Sequence, residues 1–270
     1  MKRTVFHYKI EEVAPFIDWS YFFHAWGLCN NCKCDTAMQD VRQDAEAILK
    51  EIGNRYRTHA LFALCEARGS DDDIIIEGTK LPLLRQQHNR SGCPNLCLSD
   101  FISPQSDNIG LFATCTDTMF GSEFSNDVYK NIIVQILADR LAEATATLLH
   151  RQVRTSKELW GYAPNESLTI EELHLEKNQG IRPAVGYPSL PDQSVIFIID
   201  SLLETKEIGI ELSPNGAMHP HAAVCGLMLS HPAAHYFSVG KISHEQLHDY
   251  ASRRSMSAEK VQKFLTKNIE

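Results

Sequence analysis

Residues 125–154 constrain the architecture more than any other stretch of the chain. Val128, Ile132, Ile133, Ile136, Leu137, Leu141, Ala144 and Leu148 recur there at spacings of three and four, which lines one face of an α-helix with apolar side chains. Such a helix is a spine on which other elements must pack. A second pattern, Met38, Val41, Ala45, Ile48, Leu49 and Ile52, predicts a helix over 35–55, and helical signals also run over 11–26. Segments 60–67, 74–77, 108–115, 208–212, 222–229 and 236–242 read as strands, the first two joined across the polar turn Arg68-Gly69-Ser70-Asp71-Asp72-Asp73. Thr169 to Glu172 matches a capping box that starts a short helix, with Gly180 placed to stop it. A further helix runs from after Pro191 to about residue 203, and a second capping box, Ser243 to Gln246, opens the C-terminal helices. There is no internal repeat, low-complexity tract or Pro/Gly/Ser linker. The expected fold class is α+β: a single mixed domain over 1–270 around an antiparallel sheet flanked by helices, with a helical N-terminal part over about 1–58.

A chain of 270 residues with 43% hydrophobic content can bury a full core. Its formal charge of -8, without long acidic or basic runs, argues against nucleic acid as a main partner, because phosphate binding needs clustered Lys and Arg. No apolar run approaches the roughly 18 to 20 residues of a membrane span, and Met1-Lys2-Arg3 leads into mixed polar sequence rather than a signal region. A cytoplasmic location, with no membrane partner, is the expectation. The eight cysteines then read as reduced thiols. Cys65, Cys115 and Cys225 lie in strand-like apolar segments, while Cys93 and Cys97 flank the Pro94-Asn95 turn. Cys29, Cys32 and Cys34 offer three thiolates for zinc with His24 as a fourth ligand; a solvated loop between helices is the favoured alternative, since no second Cys or His pair stands at structural-zinc spacing. Packed or exposed side chains are likewise favoured over a metal cluster at His219, His221, His231 and His235, and a solvated turn over a calcium site at Asp71 to Asp73. No serine-hydrolase order or nucleophile elbow is present.

Residues 179–188, QGIRPAVGYP, read as a loop for a small anionic ligand. Arg182 supplies a planar donor fork suited to a carboxylate. Pro183 stiffens the next residues, Gly186 lets a ligand lie on the backbone, and Tyr187 adds a flat face with a polar tip. On this chemistry alone many ligands fit, and from composition alone a surface ion-pair residue is the favoured reading of Arg182.

The longer run WGYAPNESLTIEELHLEKNQGIRPAVGYP (160–188) resembles the C-terminal reactivation module of cobalamin-dependent methionine synthase, whose RPAxGYP loop binds S-adenosylmethionine. FIDWSYFF (16–23), LLRQQ (83–87), LSDFISP (98–104), ADRLAEA (138–144) and SHPAAHYF (230–237) extend the likeness, in the family's order, over almost the whole chain. The resemblance implies a C-shaped α+β domain with a twisted antiparallel sheet. It implies a cofactor site for S-adenosylmethionine formed by Asp18, Glu143, Glu176, Arg182, Pro183, Ala184, Val185, Gly186, Tyr187, Tyr236 and Phe237, with Arg182 for the carboxylate and the backbone of 184–186 facing adenine. Without it, Asp18 reads as a helix-start residue and Glu143 as part of a solvated helix face.

The implied reaction is reductive reactivation: methyl transfer from S-adenosylmethionine to an inactive cobalamin bound by a partner protein, which needs orientation rather than an acid or base. The implied partners are corrinoid-binding methionine synthase modules and a flavodoxin-like electron donor. The chain lacks the Asp-x-His-x-x-Gly cobalamin signature, so the expectation is action in trans; the alternative is a non-catalytic S-adenosylmethionine sensor or an interaction module with a decayed pocket. Two departures bear on cofactor docking. Phe237 stands where the family usually has a second tyrosine, and residues 215–221 replace a segment that normally carries aromatic residues.

Overall fold

A computed structural model describes residues 1–28, 35–88 and 92–269. The zinc question at Cys29, Cys32 and Cys34 lies outside these residues. The strands are β1 (Lys2–Lys9), β2 (Arg57–Ser70), β3 (Asp73–Ile76), β4 (Thr79–Pro82), β5 (Asp107–Thr116), β6 (Glu211–Leu212), β7 (Met218–His219) and β8 (Ala223–Met228). The helices are α1 (Ile10–Val13), α2 (Trp19–Ala25), α3 (Asp35–Ile52), α4 (Val128–Thr155), α5 (Ile170–His174), α6 (Ile196–Leu203), α7 (His244–Arg253) and α8 (Ala258–Phe264).

The main sheet is antiparallel throughout, in the order β4-β3-β2-β5-β8. β1 and β3 share one edge of the long strand β2, end to end: β1 pairs with residues 57–64 and β3 with 67–70. Both faces of this sheet are covered, which is why residues 60–65 read as a continuous apolar run rather than an alternating one. Ala60, Phe62, Phe112 and Met228 join Leu137, Leu141 and other α4 side chains in one core. Leu61, Ala63, Leu111, Ala113 and Leu227 pack on the opposite face against Ile196 and Ile199 of α6. Burying each Leu or Phe contributes about 1.5–3 kcal/mol. The spine helix is seated by its apolar stripe, by its Asp127 cap on the Lys130 amide, and by the Thr114 hydroxyl, which donates to Ala142 O at 2.9 Å. A third core gathers Leu84, Val239, Ile242, Leu247, Tyr250 and Val261 under α7 and α8.

Several expectations need correction. The segment over 1–58 is not helical from its start, because β1 occupies Lys2–Lys9 and pairs from Lys2↔Leu64 to Lys9↔Arg57. Phe6 and Tyr8 alternate onto the core while Val5 and His7 face outward, the period-two signature of an edge strand. Residues 236–242 form no strand: only Ile242 makes a bridge, to Ile269, and Gly240 takes φ +73°. The expected strand over 208–212 shrinks to Glu211–Leu212 behind a 3-10 turn. The turn at Asp71–Asp73 is not simply solvated, for Asp72 pairs with Arg85 at 2.6 Å and Asp73 with Lys80 at 2.7 Å and Arg253 at 2.5 Å.

The Thr169–Glu172 capping box forms as expected. Gly180, however, does not stop α5. Lys177 N donates to Glu172 O and Glu176 N to Leu173 O, a Schellman closure whose left-handed residue is Glu176, at φ +55°. At the second box, Ser243 caps the Gln246 amide, while the Gln246 side chain donates to Arg85 O instead of reaching back.

Candidate functional site

The RPAVGYP segment begins as an extra rung on the sheet. Ile181 N donates to Leu229 O at 3.0 Å, Leu229 N to Ile181 O at 2.9 Å, Leu227 N to Pro183 O at 3.0 Å and Val185 N to Cys225 O at 2.9 Å. Residues 181–185 thus run antiparallel along the free edge of β8. Two glycines permit this approach: a Cβ at Gly226 would stand 2.2 Å from Pro183 O, and one at Gly180 2.3 Å from Leu229 O. Period-two alternation then turns Ile181 and Val185 into the α6-side core, and Arg182 and Ala184 toward α4.

Between that face and α4 opens a cleft of about 580 Å³. It gathers Asp18, Glu143, Glu176, Arg182, Pro183, Ala184, Tyr187, Tyr236 and Phe237, nine of the eleven residues expected there. Val185 and Gly186 do not line it. Val185 is buried at 7% exposure in the opposite core. Gly186, at φ +85°, makes the turn beyond it; its amide donates to Leu190 O and the Gln193 side chain covers it. The backbone of 184–186 is also less available than expected, since the Val185 and Gly186 amides are engaged and Ala184 O accepts from Tyr187 N.

Arg182 turns into the cleft with 21% of its side chain exposed. Its main-chain N–H donates to Tyr236 Oη at 3.0 Å, Nη2 to Thr147 Oγ1 at 2.9 Å and Nη1 to Glu143 Oε2 at 3.3 Å. The last contact is long for a charge-assisted pair, which usually closes to about 2.7–2.9 Å. Burial works against the guanidinium charge, but the oxygens of Tyr236 and Glu143 outweigh it and its pKa is raised. The other Glu143 oxygen accepts from the Tyr187 hydroxyl; burial and then Glu143 push that phenol upward. Asp18 caps α2, accepting from Ser20 N at 2.9 Å. Glu176 faces Arg182 from the end of α5; desolvation raises its carboxyl and Arg182 opposes the rise. Phe237 packs on Phe101 and is tied to Ser189, whose hydroxyl donates to its carbonyl.

Sequence reasoning missed Thr147, His150 and Arg154, which line the same cleft. They succeed Glu143 on α4 at intervals of four, three and four, so the helical period that placed the core also marks this polar stripe. His150 Nε2 meets Tyr162 Oη at 2.8 Å, and the fully buried Arg154 meets Glu166 at 2.7 Å. Elsewhere, His231 and His235 pack around Phe101. Among the described residues no group of three or more His, Cys, Asp or Glu is arranged to hold a metal, and no helix is long and apolar enough to cross a membrane.

Comparison with known proteins agrees with this geometry. A family model described as the activation domain of vitamin B12 dependent methionine synthase matches residues 9–255. A crystal structure of the MetH reactivation domain bound to AdoHcy is similar at 35% sequence identity and TM-score 0.92, over 100% of this chain and 90% of that one.

Proposed function

The chain belongs to the activation-domain family of vitamin B12 dependent methionine synthase, and from that premise we propose that its cleft binds S-adenosylmethionine in support of reductive reactivation of a corrinoid-binding methionine synthase module. The observation that carries this reading is the single void in which Arg182 faces Glu143 and Glu176, with Asp18 and the rings of Tyr187, Tyr236 and Phe237 on its walls. The ligand has matching parts: a carboxylate for the guanidinium, an ammonium, a sulfonium and ribose hydroxyls for the acidic groups, and a purine for an aromatic face. Val185 and Gly186 support the site from behind rather than touching the ligand.

Bound in this cleft, S-adenosylmethionine would supply a methyl group already activated by its sulfonium for a corrinoid on the partner, with a flavodoxin-like protein as the one-electron donor. The chain's own part is to grip the amino-acid tail and hold the donor in line, an orientational task. His150, whose pKa burial and the charges of Arg154 and Arg182 hold well below 6.5, adds no further positive charge to the cleft. A cytoplasmic location fits this role. The decayed-pocket alternative is not favoured, because the cleft is open and Arg182 turns into it.

Calorimetry tests the binding step. The protein is expected to bind S-adenosylmethionine and S-adenosylhomocysteine, with Arg182→Ala weakening both by roughly 10- to 100-fold, the worth of a hydrogen bond to a charged group. No heat at millimolar ligand would overturn the reading. Remethylation of a cobalt(II) corrinoid module, given reductant and S-adenosylmethionine, should then depend on this chain.

A further inference from the structure

We propose that Thr147 is a positioning residue: its hydroxyl sets the guanidinium of Arg182, so that recognition of a ligand's amino-acid tail depends on it. This rests on the proposed binding of S-adenosylmethionine in the cleft. Arg182 is held at two ends. Its backbone is fixed by the rung on β8 and by Tyr236 Oη, and its tip is fixed by Thr147 Oγ1, which accepts from Nη2 at 2.9 Å. The Thr147 hydroxyl proton has its own partner, Glu143 O one turn back at 3.2 Å, which leaves an oxygen lone pair for the arginine. A β-branched threonine bonded to its i−4 carbonyl has little rotamer freedom, and it stands on the 28-residue helix α4 rather than on a loop.

The two acceptors on this guanidinium are not equivalent. Glu143 holds Nη1 only at 3.3 Å and also receives the Tyr187 hydroxyl. An arriving carboxylate competes with Glu143 for the same charge, one anion against another. Thr147 is neutral and has nothing to contest, so it keeps its contact while the ligand engages the rest of the fork. Holding a binding group by packing and a secondary hydrogen bond is what turns an available charge into a selective one.

The test compares two nucleosides, S-adenosylhomocysteine, which carries the amino-acid tail, and 5′-methylthioadenosine, which lacks it. Thr147→Val keeps the branched shape and removes the acceptor. It is expected to weaken S-adenosylhomocysteine about tenfold or more while leaving 5′-methylthioadenosine within about twofold, the loss being that of one hydrogen bond to a charged group. Thr147→Ser should restore the lost affinity. In an Arg182→Ala background the Thr147→Val effect should vanish, because residues acting through one contact are non-additive. Equal loss for both nucleosides, or a loss that persists without Arg182, would mean a general packing role and overturn the inference. So would an unchanged ratio in Thr147→Val. A wild-type protein that binds neither nucleoside would sink the binding reading itself, and this inference with it, whereas the first three outcomes leave wild-type binding intact. Circular dichroism of each variant separates misfolding from lost recognition, and Thr147→Ala, which also removes the acceptor, carries the same test if the valine variant fails to fold.

Discussion

His150 is a neutral side chain among cations. It is 3% exposed, and burial first, then the charges of Arg154 and Arg182, hold its pKa well below 6.5. In the unfolded chain the same imidazole titrates near its ordinary value, so between the two pKa values the unfolded state binds more protons. Stability from this residue is therefore complete above about pH 6.5 and declines as pH falls toward the folded-state pKa, by up to about 1.4 kcal/mol per pH unit. Chemical denaturation at pH 7.5 and 5.5 should show that decline in the wild type and a shallower one in His150→Gln; parallel slopes would contradict the assignment. The helical period marks His150 as part of the stripe from Glu143 to Arg154, but not its neutrality, since a histidine on a helix face is ordinary. The left-handed backbone of Glu176 was hidden for a related reason. Glycine is the usual residue there, and a glutamate held at φ +55° beside the cleft becomes visible only when the chain around it is in place.

Legibility was best for elements with a strong period. The helices over 35–55 and 125–154 and the strands over 60–67 and 108–115 formed within a few residues of their expected bounds. β4 was missed because a four-residue edge strand leaves a weak pattern, and β1 because the two apolar positions it turns to the core, Phe6 and Tyr8, stand among polar residues. Residues 236–242 misled for the opposite reason: their apolar content serves two cores, while their backbone groups go to loop contacts such as Phe237 N to Ser189 Oγ at 3.1 Å. Gly226 is the element-scale signal that was available, since a glycine inside a strand often marks close approach of another backbone. Gly226→Ala should lift residues 183–184 from β8, lowering stability by about 1–3 kcal/mol as overpacking does and weakening S-adenosylhomocysteine with it. Gly121→Ala, where an added Cβ meets nothing within 4 Å, is the matched control. Equal behaviour of the two variants in thermal melts would contradict the proposed contact.

At the scale of the whole molecule, the C-terminal helices are joined to the base of the ligand loop by buried polar groups that no periodicity reveals. Tyr250 donates to Asp192 at 2.7 Å, Arg254 donates to Ser194 Oγ at 2.7 Å, and Asp192 is 1% exposed. Removing the phenolic donor leaves a buried carboxylate oxygen with Arg254 no nearer than 3.8 Å. Tyr250→Phe is expected to cost about 1–3 kcal/mol, read as a lower urea midpoint; an unchanged midpoint would show that this junction carries no stability. Such long-range junctions, like the cleft itself, are products of assembly. The motifs named most of the residues around the void, but neither their mutual partners nor their facing directions.

The loop that grips the proposed ligand is also what seals the border of the sheet. Without residues 181–185, β8 would offer unpaired amides and carbonyls to any neighbouring chain, a recognised route to association. Within this segment, changes of ligand preference are thereby left to the side chains that face the cleft, such as those at 182 and 184. Rebuilding the backbone of this segment would endanger solubility before it altered selectivity.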